Sequence, residues 1–198
     1  MKPVIELAVD TLRDPQATAQ RIMAWELDSR IVYMALFAVA AVNAILTSAP
    51  VVLLPGSVDD AARQAMPILT LMERPFVLFA LVAGGLVVMV QALYWAGRAM
   101  GGQGSMVDML VLLVWLQGLR AAAQLVVFVL SLAVPMLAGL FALIVVVVAF
   151  WLLLHFISAA HRFGSLFQAF GLFVSVIAGL FLGLMLILTL MGVSAGGL

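Results

Sequence analysis

Five long apolar runs, with charge pushed almost entirely into the segments between them, constrain this chain more than any motif in it. They cover Ile31–Ala49, Pro75–Ala96, Met106–Val134, Met136–Ala160 and Phe167–Val193. Each is near or above the roughly 20 residues a helix needs to cross a hydrocarbon core. Bare backbone polar groups are not tolerated in lipid, so such runs cross as helices. The runs predict an all-α, polytopic transmembrane helical bundle of five spans over residues 31–198. An amphipathic N-terminal surface-helix segment, residues 1–30, precedes it.

Composition supports that choice of solvent. Of 198 residues, 67% are hydrophobic and 9% charged, too much apolar surface for a water-soluble domain of this length to cover. Only residues 1–30 and the loop Pro50–Arg74 are left for water, and neither is large enough for an independent catalytic domain. Net charge is zero, which gives nucleic acid no electrostatic foothold. The absence of cysteine excludes disulfides, thiolate metal sites, cysteine nucleophiles and iron–sulfur clusters. The first 30 residues carry Glu6 and Asp10 ahead of any long apolar run and do not read as a cleavable signal peptide.

In residues 3–13, Val4, Ile5, Ala8 and Leu12 share one helical face, with Glu6, Asp10 and Arg13 on the other. Asp14 before Pro15 is an N-cap followed by a first-turn proline, which starts a second helix. The pair lies either at the membrane surface or on the protein's own cytosolic face. Its acids outnumber its bases, so anionic lipid is not what holds it. Pro50 and Pro55-Gly56 break the helix after the first span. Ser57-Val58-Asp59-Asp60 has capping-box spacing and introduces a short helix through Ala61, Ala62, Ala65 and Met66, ending near Pro67. Gly101-Gly102-Gln103-Gly104-Ser105 is a flexible turn. The third and fourth runs together are far longer than the core is thick, so the chain turns back at Val134-Pro135. If Met106–Gln117 lay along the surface, that corner would become a kink and the spans would number four. With five spans, Arg13, Arg21, Arg30, Arg98 and Arg162 fall on one side, against Arg63 and Arg74 on the other. This places the N-terminus in the cytoplasm of a cell inner (plasma) membrane and the C-terminus outside.

Polar residues at bilayer depth are the candidate sites. Gln117, Arg120 and Gln124 recur at i, i+3, i+7 on the third span, and Asn43 is the polar residue of the first. A central Arg costs roughly 2.5–3.5 kcal/mol to insert, so it calls for partners. Asp108 lies near the end of that helix and on another face, a poor match for Arg120. Arg120 is either tied into an interhelical polar network or contacts an anion or lipid headgroup. Trp151, His155, Ser158 and Arg162 make a second stripe. His155 has the pKa range of a proton relay but no inward carboxylates to relay with, which favours a hydrogen-bonded packing role. Gly171, Ser175, Gly179 and Gly183 fall every four residues on the fifth span, a small-residue stripe suited to close helix packing. No metal-binding HExxH, pair of membrane-facing acids or Walker lysine is present, and no catalytic, cofactor or metal residue is assigned.

The proline-initiated N-terminal helix (Asp14-Pro15), the five spans and the Gly-rich turn Gly101–Ser105 before a polar third span together resemble the bacterial branch of the YIP family. These are membrane proteins named for interaction with Ypt/Rab GTPases. Eukaryotic members act in vesicle trafficking and membrane shaping. The Asp-Leu-Tyr-Gly-Pro motif of those members does not occur in this chain, so Rab binding is not carried over. The resemblance implies a small polytopic membrane protein working through partners or membrane organisation. The expected role is a non-enzymatic accessory subunit, with the lipid bilayer and a membrane-protein partner or second copy as contacts and no cofactor. The alternative is a small transporter or lipid/anion carrier using Arg120.

Overall fold

The computed structural model describes residues 2–53, 70 and 73–190. Within them the chain forms seven α-helices: α1 (Lys2–Arg13), α2 (Pro15–Met23), α3 (Ser29–Leu53), α4 (Pro75–Ala99), α5 (Met106–Ala133), α6 (Pro135–His161) and α7 (Leu166–Leu190). The last five are long and apolar enough to cross a membrane. The capping box and short helix expected over residues 57–67 lie outside the described residues.

Local signals account for most helix ends. The Asp14 carboxylate accepts from the Ala17 N–H at 2.9 Å and Pro15 occupies the first turn of α2. Ser105 and Asp108 form a reciprocal capping box at the start of α5, 3.0 and 3.1 Å. Arg162 closes α6 in the left-handed region (φ 56°), with the Phe163 N–H reaching back to the Ser158 carbonyl at 2.9 Å. The corner between α5 and α6 is one residue wide: Val134 ends the first helix, and Pro135 begins the second. Helix α5 runs unbroken from Met106 and folds back against α6, so the third run is one continuous helix of spanning length, one of five such helices.

Pro50 corrects an expectation. It sits inside α3, which continues to Leu53. Proline in the last turn deletes one backbone bond, whereas stopping there would strip the following residues of theirs in a solvent that offers no replacement.

Helix α5 is the hub, packed on α3, α4 and α6. The buried core is lopsided. It gathers Met109, Leu110, Leu112 and Leu113 from the first half of α5, Phe156 and Ile157 from the last part of α6, Val90 and Leu93 of α4, Leu172 of α7 and Ile22 of α2. All lie toward the end carrying the Gly-rich turn. At the other end Val129, Met136, Leu143, Val147, Leu182 and Phe76 are more than half exposed. The spans therefore pack tightly at one end and present hydrocarbon to lipid at the other.

The N-terminal helices belong to the packed end: α2 is seated on the spans, while α1 touches them through Thr11 and leaves Val4, Ile5, Val9 and Leu12 exposed. Helix α2 buries Thr18, Ala19 and Ile22 against α5 and α6. Arg21 of α2 donates to Asp10 of α1 at 2.9 Å. Thr11, fully buried in α1, accepts from the Trp115 indole N–H at 3.0 Å. Trp115 is nine residues into α5, about 14 Å along its axis, so α1 leans on the flank of the span and does not lie across the helix ends.

Candidate functional site

The polar residues of the spans divide into separate places. The first is a seam between α3 and α5. The Asn43 side-chain amide, buried, donates to the Val39 carbonyl at 2.9 Å and to the Gln117 carbonyl of α5 at 3.3 Å. Gln124, two turns further along α5, donates its amide to the Thr47 hydroxyl of α3 at 2.9 Å. Two rungs thus join the helices, each made where a small polar side chain on α3 meets the face of α5 shared by Gln117 and Gln124. The side-chain carbonyl oxygens of Asn43, Gln117 and Gln124 are buried and meet no donor among the described residues. Thr47, one turn on from Asn43, was not foreseen. A threonine inside an apolar run looks like another β-branched filler, and only its spacing from Asn43 marks it.

Arg120 is not part of the seam. At 3.6 residues per turn it is rotated about 60° from the Gln117/Gln124 line, and it lies on the other flank of α5, lining a cleft with α1 and α6. No acid among the described residues pairs with it. Asp108, the one acid in an apolar run, is engaged by the Ser105 N–H at the helix start. The stripe read from the sequence therefore splits, and a single network through Arg120 is not what the fold builds.

The stripe on α6 splits as well. His155 Nδ1 lies 2.9 Å from the Trp151 carbonyl one turn back, and its ring stands edge-on to the Trp151 indole at 4.6 Å between centroids. Ser158 is buried and donates to the Phe163 carbonyl at 3.4 Å, tying α6 to the turn that follows it. Both are local structural bonds, and no carboxylate approaches either of them in the described residues.

A site that the sequence reading passed over is the clamp on His161. This last residue of α6 is 1% exposed, and its ring stacks on Phe163, 5.3 Å apart at 27°. Gly97 and Gly102 present bare backbone to the imidazole, since a Cβ on either would overlap the ring. Gly104 lies against the Ala160 carbonyl in the same way. The Gln103 N–H donates to the His161 carbonyl at 3.1 Å, and the Gly102 N–H to that of Gly97 at 2.8 Å. Neither ring nitrogen has a hydrogen-bond partner among the described residues. The Gly-rich turn is thus a close-approach device that lets the α4–α5 connection fold over the end of α6. Repeated glycine around Arg98 was the legible signal, but what the glycines accommodate was not.

The α7 stripe finds no partner among the described residues. A Cβ added at Gly171, Gly179 or Gly183 meets nothing within 4 Å, and Ser175 only returns its hydroxyl to the Gly171 carbonyl at 2.8 Å.

With this layout in place, the comparison with known proteins is informative. The family model for the Yip1 domain matches residues 9–190. The chain belongs to the Yip1 family. The match takes in α2, the Gly-rich turn and all five spans, so the Yip1 domain here includes both the α3–α5 seam and the His161 clamp. No curated protein and no solved structure matches the chain. As a Yip1-domain protein with five apolar helices it is an integral, multi-pass membrane protein in contact with lipid.

Proposed function

We propose that this Yip1-domain protein is a non-enzymatic accessory or organising subunit, acting through helix–helix contacts in the bilayer and through its N-terminal helices at the cytoplasmic face. The observation that carries the reading is the α7 stripe, which lies free on the outside of the bundle. Exposed leucines cost nothing in lipid, so bulk apolarity marks no interface there. Small residues every four positions do, because they let a second helix approach to backbone contact. The orientation is the one that gathers Arg13, Arg21, Arg98 and Arg162 on the cytoplasmic side, all four exposed at the packed end.

Purification in mild detergent, followed by native mass spectrometry and sizing, tests this directly. A dimer or a co-purifying membrane protein is expected. Gly179→Leu and Gly183→Leu should leave the monomer folded, since nothing stands near either position, while weakening association at least tenfold, about 1.4 kcal/mol. A strictly monomeric species, or association indifferent to both substitutions, would sink the proposal.

A further inference from the structure

Beneath α1 the bundle leaves a cleft of about 390 Å³ between α1, α5 and α6, within the size range of small-molecule sites, about 300–1,000 Å³. Ile5, Leu12, Phe141 and Ile144 line it along with other hydrocarbon side chains, and Arg120 is its one charged residue. Ile5, Leu12 and Ile144 are 63%, 53% and 58% exposed, so the cleft opens sideways along the spans, where lipid lies. An apolar gap with no atoms in it forfeits van der Waals contact on every wall, and at bilayer depth the nearest filler is an acyl chain. A chain alone gives no selectivity, but Arg120 does.

No group in the described residues answers the Arg120 charge. Asp108 is held at the start of α5, and Asp10 of α1 is paired with Arg21. Gln124 bonds across to α3, and Asn43 holds the Gln117 backbone carbonyl on the same side. Arg120 is exposed and lines this cleft together with Ile5, Ala8, Val9 and Leu12 of α1.

We propose that this cleft is a binding site for one anionic glycerophospholipid. One acyl chain fills the space between α5 and α6, the phosphodiester pairs with the Arg120 guanidinium through its planar fork of donors, and α1 forms the outer wall. The lipid is a bound component, held whether or not α7 pairs with another helix.

The test is native mass spectrometry of the full chain extracted from vesicles of equimolar phosphatidylglycerol and phosphatidylcholine. Wild-type protein should retain one phosphatidylglycerol about tenfold over phosphatidylcholine, the ratio that 1.4 kcal/mol of charge-assisted bonding produces. Arg120→Leu should bring the two to parity, and Arg120→Lys should keep a reduced preference. Ala149→Phe, which plugs the wall of the cleft with Arg120 intact, should lose the retained lipid of both kinds and so serves even if the arginine variants fold poorly. Excess inorganic phosphate should not displace the lipid. Equal retention by the wild type, an unchanged preference in Arg120→Leu or in Ala149→Phe, or displacement by phosphate would each overturn the site.

Discussion

Gly97 shows what a single residue decides in this fold. In isolation, glycine inside α4 is a defect, costing about 1 kcal/mol against alanine. Here the imidazole of His161 occupies the place of the missing side chain. Gly97→Ala should destabilise the protein by about 1–3 kcal/mol, the usual range for forcing extra volume into a packed site. In a His161→Ala background the same substitution should become neutral or stabilising, because the clash is gone and only the helix preference is left. Unfolding in mixed micelles, run as a double-mutant cycle, measures both. Additive effects would mean that the ring and the glycine do not meet. At this scale the sequence singles out the amides and Arg120, since polarity within an apolar run is visible without a fold. It did not mark His161, because a histidine at the end of a span looks like an ordinary interface residue until a non-local turn buries it.

At the scale of elements, the helices could be read almost residue by residue. Apolar length set the spans, Asp14-Pro15 set the start of α2, and Val134-Pro135 set the reversal. The error at Pro50 came from applying a rule for water, where a broken helix end is solvated, to a lipid-facing end where it is not. Where α1 rests could not be read, because an amphipathic face describes a helix that covers something apolar without saying whether that is lipid or protein. In the fold one hydrogen bond, from Trp115 to Thr11, ties α1 to α5, while Val4, Ile5, Val9 and Leu12 stay exposed. Thr11→Val keeps the shape and removes the acceptor, leaving a buried indole N–H without a partner. A cost of about 1–3 kcal/mol is expected, felt as faster amide exchange confined to α1 and α2. Exchange that stays unchanged would show that α1 is held by other contacts.

For the whole molecule, the defining property is the lopsided core. The buried residues gather where the N-terminal pair, the Gly-rich turn and the α6–α7 turn meet, and the spans are more exposed toward Val134. Five crossings put those two ends on opposite sides of the membrane. The chain has no cysteine, so single cysteines report cleanly. Met100→Cys and Met136→Cys stand at exposed positions near opposite ends. In intact cells a membrane-impermeant maleimide should label Met136→Cys and reach Met100→Cys only after the membrane is opened. Labelling of both from one side would contradict five spans, and the reverse pattern would invert the proposed orientation.

Hydropathy and spacing alone determined that this protein lives in lipid, where it turns and which polar residues are costly. Those properties depend on each segment's own exchange between water and hydrocarbon, which is local along the chain. Which faces meet was decided only in three dimensions. The amides of α5 turn to α3, Arg120 turns to the cleft under α1, the glycines close over His161, and the α7 stripe is left outside. Between lipid-soluble helices burial is nearly neutral. The arrangement therefore rests on a few hydrogen bonds and close backbone approaches between segments far apart in sequence, which no periodicity within one segment encodes.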